Sequence, residues 1–97
     1  MRKIEEIKKK LSQHKDEVER KFNVSELGVF GSYVRDEQNK KSDVDILVDF
    51  KEPIGLFKFM DLEEFLHKIL GIKIDLVSKK ALKPRIGAHV LKEVVFI

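Results

Sequence analysis

The sequence contains no cysteine and no long hydrophobic run. The absence of cysteine excludes disulfides and thiolate metal sites. No run approaches the roughly 18 apolar residues that a membrane helix requires. The N-terminus, MRKIEEIKKK, is charged throughout, whereas a signal peptide would be apolar. We therefore expect no membrane segment and a cytoplasmic location.

The sequence also has little net charge, because 20 Lys and Arg against 17 Asp and Glu leave a formal charge of +3. So weak a field favours an anionic ligand, such as a nucleotide, a nucleic acid or an acidic protein face, without choosing among them. A chain of 97 residues has the length of one domain and should bury roughly 60 to 65% of the surface that its unfolded form exposes. We expect residues 1–97 to form a single domain with a real core but no deep closed cleft.

Hydrophobic periodicity predicts alternating helices and strands. The predicted elements are a helix over 2–22, a strand over 26–30, two helical turns over 32–38 capped by Ser32, a strand over 43–50, a helix over 56–70, a strand over 72–78, and a helix from about residue 84 that frays into an apolar end. This order indicates an α/β fold, with a single small mixed β-sheet of about three core strands flanked by helices.

Two aspartates, Asp43 and Asp45, stand at the start of the second predicted strand. Side chains two residues apart on a strand share a face, with about 6 to 7 Å between their Cα atoms, and can converge on cations. Asp75 is the third candidate, because the alternation of the next strand places it opposite Ile74 and Leu76. Three clustered carboxylates repel one another unless a metal compensates, which is the physical reason to expect a function here.

Carboxylate oxygens are Mg²⁺ ligands, and a pair of Mg²⁺ ions about 3.5 to 4 Å apart stabilises the attacking and leaving oxygens of an in-line displacement. The pattern thus predicts a site for two Mg²⁺ ions at Asp43, Asp45 and Asp75. The alternative is a plain turn at Ser42 and Asp43 followed by the solvent side of an edge strand. Asp49 shares the parity of Asp45 but lies about 13 Å further along, so we expect it to be solvated.

The pair Gly31-Ser32 ends the first predicted strand, twelve residues before Asp43. If Gly31 allows close approach and Ser32 opens a short helix, the helix N-terminus offers amides, a hydroxyl and a positive dipole end to terminal phosphates. Arg35 would then lie on the same helical face, with a guanidinium suited to phosphate oxygens. For these groups to meet the aspartates, the first two strands should be antiparallel. The alternative is a plain strand-to-helix turn.

Taken together, GVFGSYVR followed by SDVDILV resembles the G-S-x-x-R…S-D-x-D signature of the DNA polymerase β nucleotidyltransferase superfamily, and specifically its minimal nucleotidyltransferase branch (MNT, MntA-like). The resemblance covers almost the whole chain, and KIDLV resembles the strand that carries the third acid. It implies a polymerase β-like nucleotidyltransferase fold. Val34 and Asp36 depart from the common G-S-x-A-R-G pattern, and Asp36 adds a negative charge near the phosphates.

The resemblance also implies an activity and a partner. It assigns triphosphate binding to Gly31, Ser32 and Arg35, and it assigns two Mg²⁺ ions and catalysis, with ATP as substrate, to Asp43, Asp45 and Asp75. Asp75 would also help to deprotonate the acceptor. Members of this branch resemble the antitoxin half of gene pairs whose other product is a HEPN-family toxin. The implied partner and acceptor is such a toxin, which receives AMP from ATP on a hydroxyl group.

Two other functions are compatible with parts of the sequence. A non-catalytic module could use the same fold to neutralise a HEPN toxin by complex formation, and the apolar end LKEVVFI could dock onto a partner, although we favour its packing back on the sheet. GVFG also matches the G-x-x-G loop of KH domains, which bind RNA. Because the apolar pattern predicts that Val29 and Phe30 belong to a buried strand and not to an exposed loop, we expect no nucleic-acid partner.

Overall fold

The computed structural model describes residues 3–97, so the predicted start of the first helix at residue 2 lies outside the described residues. The helices are α1 (Ile4–Gln13), α2 (Lys15–Phe22), α3 (Leu56–Leu70) and α4 (Pro84–Glu93). The strands are β1 (Val24–Phe30), β2 (Val44–Phe50), β3 (Ile74–Ser78) and β4 (Val95–Phe96), and single 3₁₀ turns cover Gly31–Tyr33 and Lys79–Ala81. The α/β class predicted from the sequence is confirmed.

The strands form one mixed sheet in the order β3-β2-β1-β4. β1 is antiparallel to both β2 and β4, whereas β2 and β3 are parallel. The antiparallel pairing of β1 with β2, expected from the spacing of the Gly-Ser and Asp-x-Asp motifs, is confirmed. Because β1 ends at the edge of the sheet where β2 and β3 begin, the fold brings these motifs together.

One face of the sheet carries the main core. Alternate residues of β2 point into it, and the described members of this buried cluster are Ile7, Leu11, Val18, Phe22, Val24, Leu27, Val29, Tyr33, Val44, Ile46, Val48, Leu62, Leu66, Leu70, Ile74 and Leu76. Fully burying a side chain of this size contributes about 1.5 to 3 kcal/mol. Leu47 is also buried but lies outside the cluster, as does Val90 of α4. Asp45 and Asp49 share the parity of Leu47, so β2 presents its aspartates on the face opposite α1, α2 and α3.

The predicted single helix over 2–22 is wrong, because α1 and α2 are separate helices joined at His14. His14 has φ −110° and ψ 7°, its backbone N–H donates to Leu11 O, and its ring Nδ1 lies 2.9 Å from Lys10 O. The apolar spacing runs through this break without interruption, since Leu11 and Val18 are both buried. No proline or glycine marks the position, so periodicity alone could not reveal it.

The end of the chain also differs from the prediction, because the residues after α4 form β4 instead of a frayed helix. Val95 pairs with Val29, and the Ile97 N–H donates to Leu27 O at 2.8 Å. Gly28 permits this approach, since a Cβ there would lie 2.6 Å from Cγ2 of Val94. The apolar end thus packs back on the sheet, as the sequence favoured. Within residues 3–97, no helix is both long and apolar enough to cross a membrane.

Candidate active site

The Gly-Ser turn lies directly against the second aspartate of the Asp-x-Asp pair. Phe30 is the register partner of Asp45, and Gly31 follows with φ +82°, in the left-handed region that favours glycine. A Cβ on Gly31 would lie 2.0 Å from Oδ2 of Asp45. Glycine is therefore required both for the backbone conformation and for the space that the carboxylate occupies.

The predicted third acid lies beside the second. Asp45 and Asp75 are register partners on the parallel strands β2 and β3, and Asp43 stands two residues before Asp45. Asp45 is half-buried and Asp75 is exposed. Burial, followed by the neighbouring charges of Asp75 and Asp43, raises the pKa of Asp45 to about 6. Asp75 and Asp43 thus act electrostatically on Asp45, in the direction that the repulsion of clustered carboxylates predicts.

The acids do not form a closed ligand cage. Within residues 3–97, no group of three or more His, Cys, Asp or Glu side chains is arranged so that it could hold a metal ion. Asp43, Asp45 and Asp75 nevertheless supply carboxylate oxygens, the ligand type that Mg²⁺ prefers, at one edge of the sheet. Repulsion from Asp75 and Asp43 adds to burial in raising the pKa of Asp45, and a bound cation would relieve that repulsion.

Two of the three predicted phosphate-binding residues, Gly31 and Arg35, already have hydrogen-bond partners. The Gly31 N–H donates to Glu93 Oε2 at 2.9 Å, and Arg35 Nη1 donates to Glu93 Oε1 at 2.5 Å. Arg35 Nε also donates to Glu37 Oε1 at 2.7 Å. Burial opposes ionisation of Glu93, but the hydrogen bonds from Arg35 and Gly31 outweigh it and lower the pKa of Glu93. The same ion pairs raise the pKa of Arg35, first through Glu37 and then through Glu93.

Ser32 does not cap two turns of helix, and that prediction is wrong. Gly31–Tyr33 is a single 3₁₀ turn preceded by Phe30, and no side chain caps it. Ser32 is partly exposed, and its carbonyl accepts the Glu37 N–H at 2.9 Å. The turn thus brings Gly31, Ser32 and Arg35 to the same edge of the sheet without the helix dipole that the sequence suggested.

Asp36 occupies a backbone conformation that explains the glycine of the common pattern. Its φ is +57°, in the left-handed region that glycine adopts freely and that, among L-residues, Asn and Asp adopt most often. The G-S-x-A-R-G pattern has glycine at this position, so the aspartate keeps the turn at the cost of an added negative charge. The departure at Asp36 is therefore compatible with the fold.

Sequence reasoning missed Glu93 and misjudged Asp49. Glu93 contacts Gly31 across 62 positions of the chain, and no local pattern signals such a contact. Asp49 is half-buried instead of solvated, and its Oδ1 is buried without a hydrogen bond from any described residue. A salt bridge between Lys79 and Glu26, with 2.8 Å between Nζ and Oε1, lies near Asp49, because Glu26 is the register partner of Asp49 on β1.

An open cavity of about 490 Å³ adjoins the first aspartate of the pair. Three lysines and one carboxylate line it together with uncharged groups, and its lining residues are Tyr33, Asn39, Lys40, Lys41, Ser42, Asp43, Ile72 and Lys73. The lysines give this space a positive charge next to the acids. A cavity of this volume and charge can accept an anionic or polar part of a ligand.

Comparison with known proteins identifies the family. The family model described as nucleotidyltransferase domain matches residues 11–97. Protein adenylyltransferase MntA of Thermococcus cleftensis is 53% identical over 94 residues, which cover 97% of this chain and 95% of that protein. This chain is thus similar to a protein adenylyltransferase along nearly its whole length.

Solved structures agree with this assignment. The structure of a candidate minimal nucleotidyltransferase is 30% identical, with a TM-score of 0.76 over 92% of this chain and 93% of that one. A chain from the complex of a tri-AMPylated Shewanella oneidensis HEPN toxin with an MNT antitoxin gives a TM-score of 0.67 over 93% of this chain and 70% of that one. At 17% identity, the second likeness concerns the fold alone. The chain belongs to the nucleotidyltransferase domain family, in its minimal, MntA-like branch.

Proposed function

We propose that this chain is a Mg²⁺-dependent protein adenylyltransferase, which transfers AMP from ATP to a hydroxyl group of a partner protein. The observation that carries the proposal is the position of Asp45, which lies against the Gly31 turn and beside Asp75. This arrangement places hydrogen-bond donors that suit the phosphates of a nucleotide, and carboxylates that suit the accompanying cations, at one edge of the sheet. The name of the Thermococcus cleftensis relative supports AMP as the transferred group.

Each candidate residue has a role in this proposal. Asp43, Asp45 and Asp75 would hold two Mg²⁺ ions, which when bound lower the pKa of the acceptor hydroxyl and neutralise charge on the phosphates. Triphosphate binding is assigned to Gly31, Ser32 and Arg35. The acceptor oxygen forms a bond to the α-phosphorus, the bond from that phosphorus to the bridging oxygen breaks, and pyrophosphate leaves. Asp75, the exposed acid, accepts the proton of the acceptor hydroxyl.

The acceptor side of the site favours a protein over a free metabolite. Asp75 is exposed, and the adjoining cavity is open, so the chain encloses little of an acceptor by itself. A protein acceptor brings its own binding surface, which supplies the missing contacts. The MntA name of the Thermococcus cleftensis relative and the family resemblance support a HEPN-family toxin as the partner that we propose. The cytoplasmic location expected from the sequence suits an enzyme that consumes ATP.

The test is incubation of the protein with ATP labelled at the α-phosphate, Mg²⁺ and the candidate partner, a HEPN-family protein from the same source. Label should move to the HEPN protein, and mass spectrometry should find an added AMP on a hydroxyl side chain. Asp75→Asn should stop the transfer, whereas Asp61→Asn, an equal change on the exposed face of α3, should not. Stable complex formation without any labelled product would refute the enzyme and establish a non-catalytic module that acts by binding.

A further inference from the structure

The carboxylate of Glu93 binds two of the three residues to which we assign phosphate binding, Gly31 and Arg35. Glu93 is the last residue of α4. One of its oxygens accepts the Gly31 N–H at 2.9 Å and the other accepts Arg35 Nη1 at 2.5 Å. An amide and a guanidinium that bind two oxygens of one anion are the groups that would bind two oxygens of a phosphate. The Glu93 carboxylate therefore makes the contacts that a phosphate at this turn would make.

The fold fixes Glu93 at this position. Two residues after it, Val95 pairs with Val29 of β1, and Ile97 donates to Leu27 O at 2.8 Å. Gly28 lets this terminal segment lie close against β1. Since β1 leads directly into Gly31, the same pairing that holds β4 places the backbone of Glu93 beside the turn. A tethered group of this kind acts at a high effective concentration, so it competes strongly with a free ligand.

Glu93 is anionic at neutral pH and adds to the negative charge of the site. The hydrogen bonds from Arg35 and Gly31 lower its pKa in spite of the opposing effect of burial, and only 14% of its side chain is exposed. The negative charge of Glu93 also helps to raise the pKa of Asp45. A triphosphate that approaches the turn thus meets both occupied hydrogen-bond donors and a like charge.

We infer that Glu93 is an intramolecular competitor of the nucleotide for the phosphate-binding turn. A phosphate gains the Gly31 N–H and Arg35 only when the Glu93 carboxylate has left them. The backbone pairing of β4 need not break for this, because rotation about the side-chain bonds of Glu93 withdraws the carboxylate. The inference rests on the proposed function, since it takes Gly31 and Arg35 as triphosphate ligands.

The chain offers a matched control at Glu37. Glu37 also accepts a hydrogen bond from Arg35, at 2.7 Å, but its side chain is 61% exposed and no bond joins it to Gly31. Neutralising Glu37 removes the same charge beside the same guanidinium and leaves the Gly31 amide bound to Glu93. Glu93→Gln keeps the size of the side chain, so that variant should fold.

The experiment is a calorimetric titration of Mg²⁺-ATP into the wild type, Glu93→Gln and Glu37→Gln, with the Gly31 amide followed by NMR in the ¹⁵N-labelled wild type. Glu93→Gln should bind Mg²⁺-ATP roughly ten-fold more tightly, the lower end of what one charge-assisted contact supplies. Glu37→Gln should stay within about two-fold of the wild type, as expected for an exposed pair. The Gly31 amide signal should move as the nucleotide saturates, because the donor exchanges its partner.

Three results overturn the inference. They are unchanged or weaker binding by a folded Glu93→Gln protein, an equal gain in Glu37→Gln, and a Gly31 signal that stays in place at saturation. Failure of the proposed function is a separate result, because binding is measured without an acceptor. If Glu93→Gln binds Mg²⁺-ATP more tightly but no AMP is transferred to a partner, the competition by Glu93 is supported and the proposed transferase activity is refuted.

Discussion

Asp45 of β2 and Asp75 of β3 lie side by side in a parallel pair of strands, and the Asp45 carboxylate also lies against Gly31. One half-buried side chain thus joins the predicted metal-binding acids to the predicted phosphate-binding turn. Any change of charge or position at Asp45 should therefore affect both parts of the site.

The protonation of Asp45 should respond to its neighbours. In the metal-free protein its carboxyl group should titrate near the value of about 6 that burial, Asp75 and Asp43 produce, well above the ordinary 3.8. A raised carboxyl pKa means that the folded protein binds this proton more tightly than the unfolded chain does. The contribution of Asp45 to stability is therefore present below the unfolded pKa and is lost as pH rises through about 6.

NMR titration of the side-chain carboxyl carbon measures this pKa directly. Asp75→Asn removes one like charge and should lower the pKa of Asp45, whereas Asp16→Asn, on α2, should leave it unchanged. An ordinary midpoint in the wild type would contradict the electrostatic account of the site.

Gly31→Ala should destabilise the protein strongly. The substitution places a side chain at φ +82° and a Cβ 2.0 Å from Oδ2 of Asp45. We expect a loss of about 1 to 3 kcal/mol, the usual cost of a strained backbone, together with displacement of the Asp45 side chain. Chemical denaturation measures the loss. Gly55→Ala is the control, because φ there is −74° and no atom lies within 4 Å of the added Cβ. Similar losses at both positions would show that the Gly31 turn is not constrained as described.

Asp36 tests why the family pattern has glycine at this turn. Asp36→Ala should cost about 1 kcal/mol, because alanine tolerates the left-handed φ of +57° less well than aspartate does. Asp36→Gly should preserve or raise stability, since glycine adopts this conformation freely. Thermal and chemical unfolding of the two variants compare them directly. Equal stability of the two would show that the backbone does not require the left-handed conformation there.

Much of the fold followed from local sequence signals. The bounds of α3 agree with the apolar spacing and with Gly71 at its end, and the three predicted strands occur at the expected places. The juxtaposition of Gly31 with Asp45 followed from one further argument, that a short crossover must return the chain to the same edge of the sheet. The spacing between the Gly-Ser and Asp-x-Asp motifs and the antiparallel pairing of β1 with β2 were sufficient to predict this contact, because both involve residues that are close in sequence.

The features that the sequence did not reveal depend on contacts between distant parts of the chain. β4 is two residues long, and its pairing with β1 carries no periodic signal. Glu93 reaches Gly31 only because that pairing returns the chain end to the turn. The buried oxygen of Asp49 likewise reflects the packing around the far end of β2, which strand parity does not describe.

Arg35 and Arg85 provide a matched pair for phosphate binding. Arg35→Ala should weaken Mg²⁺-ATP binding roughly ten- to a hundredfold, because a charge-assisted contact contributes about 1.5 to 3 kcal/mol. Arg85 is an exposed residue in the first turn of α4, and its replacement by alanine should leave the affinity unchanged. Calorimetric titration of Mg²⁺-ATP into both variants measures the two affinities. Equal effects of the two substitutions would count against Arg35 as a triphosphate ligand.

The central claim is that the acids at the start of β2 bind nucleotide together with its cation. Its most direct test is the titration of Mg²⁺-ATP into the wild type and into Asp43→Asn/Asp45→Asn, with circular dichroism to verify that both are folded. Asp49→Asn is the control, because it makes the same change at the far end of the same strand. We predict that the double variant loses metal-dependent binding while Asp49→Asn retains it. Unchanged Mg²⁺-ATP affinity in a folded double variant would contradict the account.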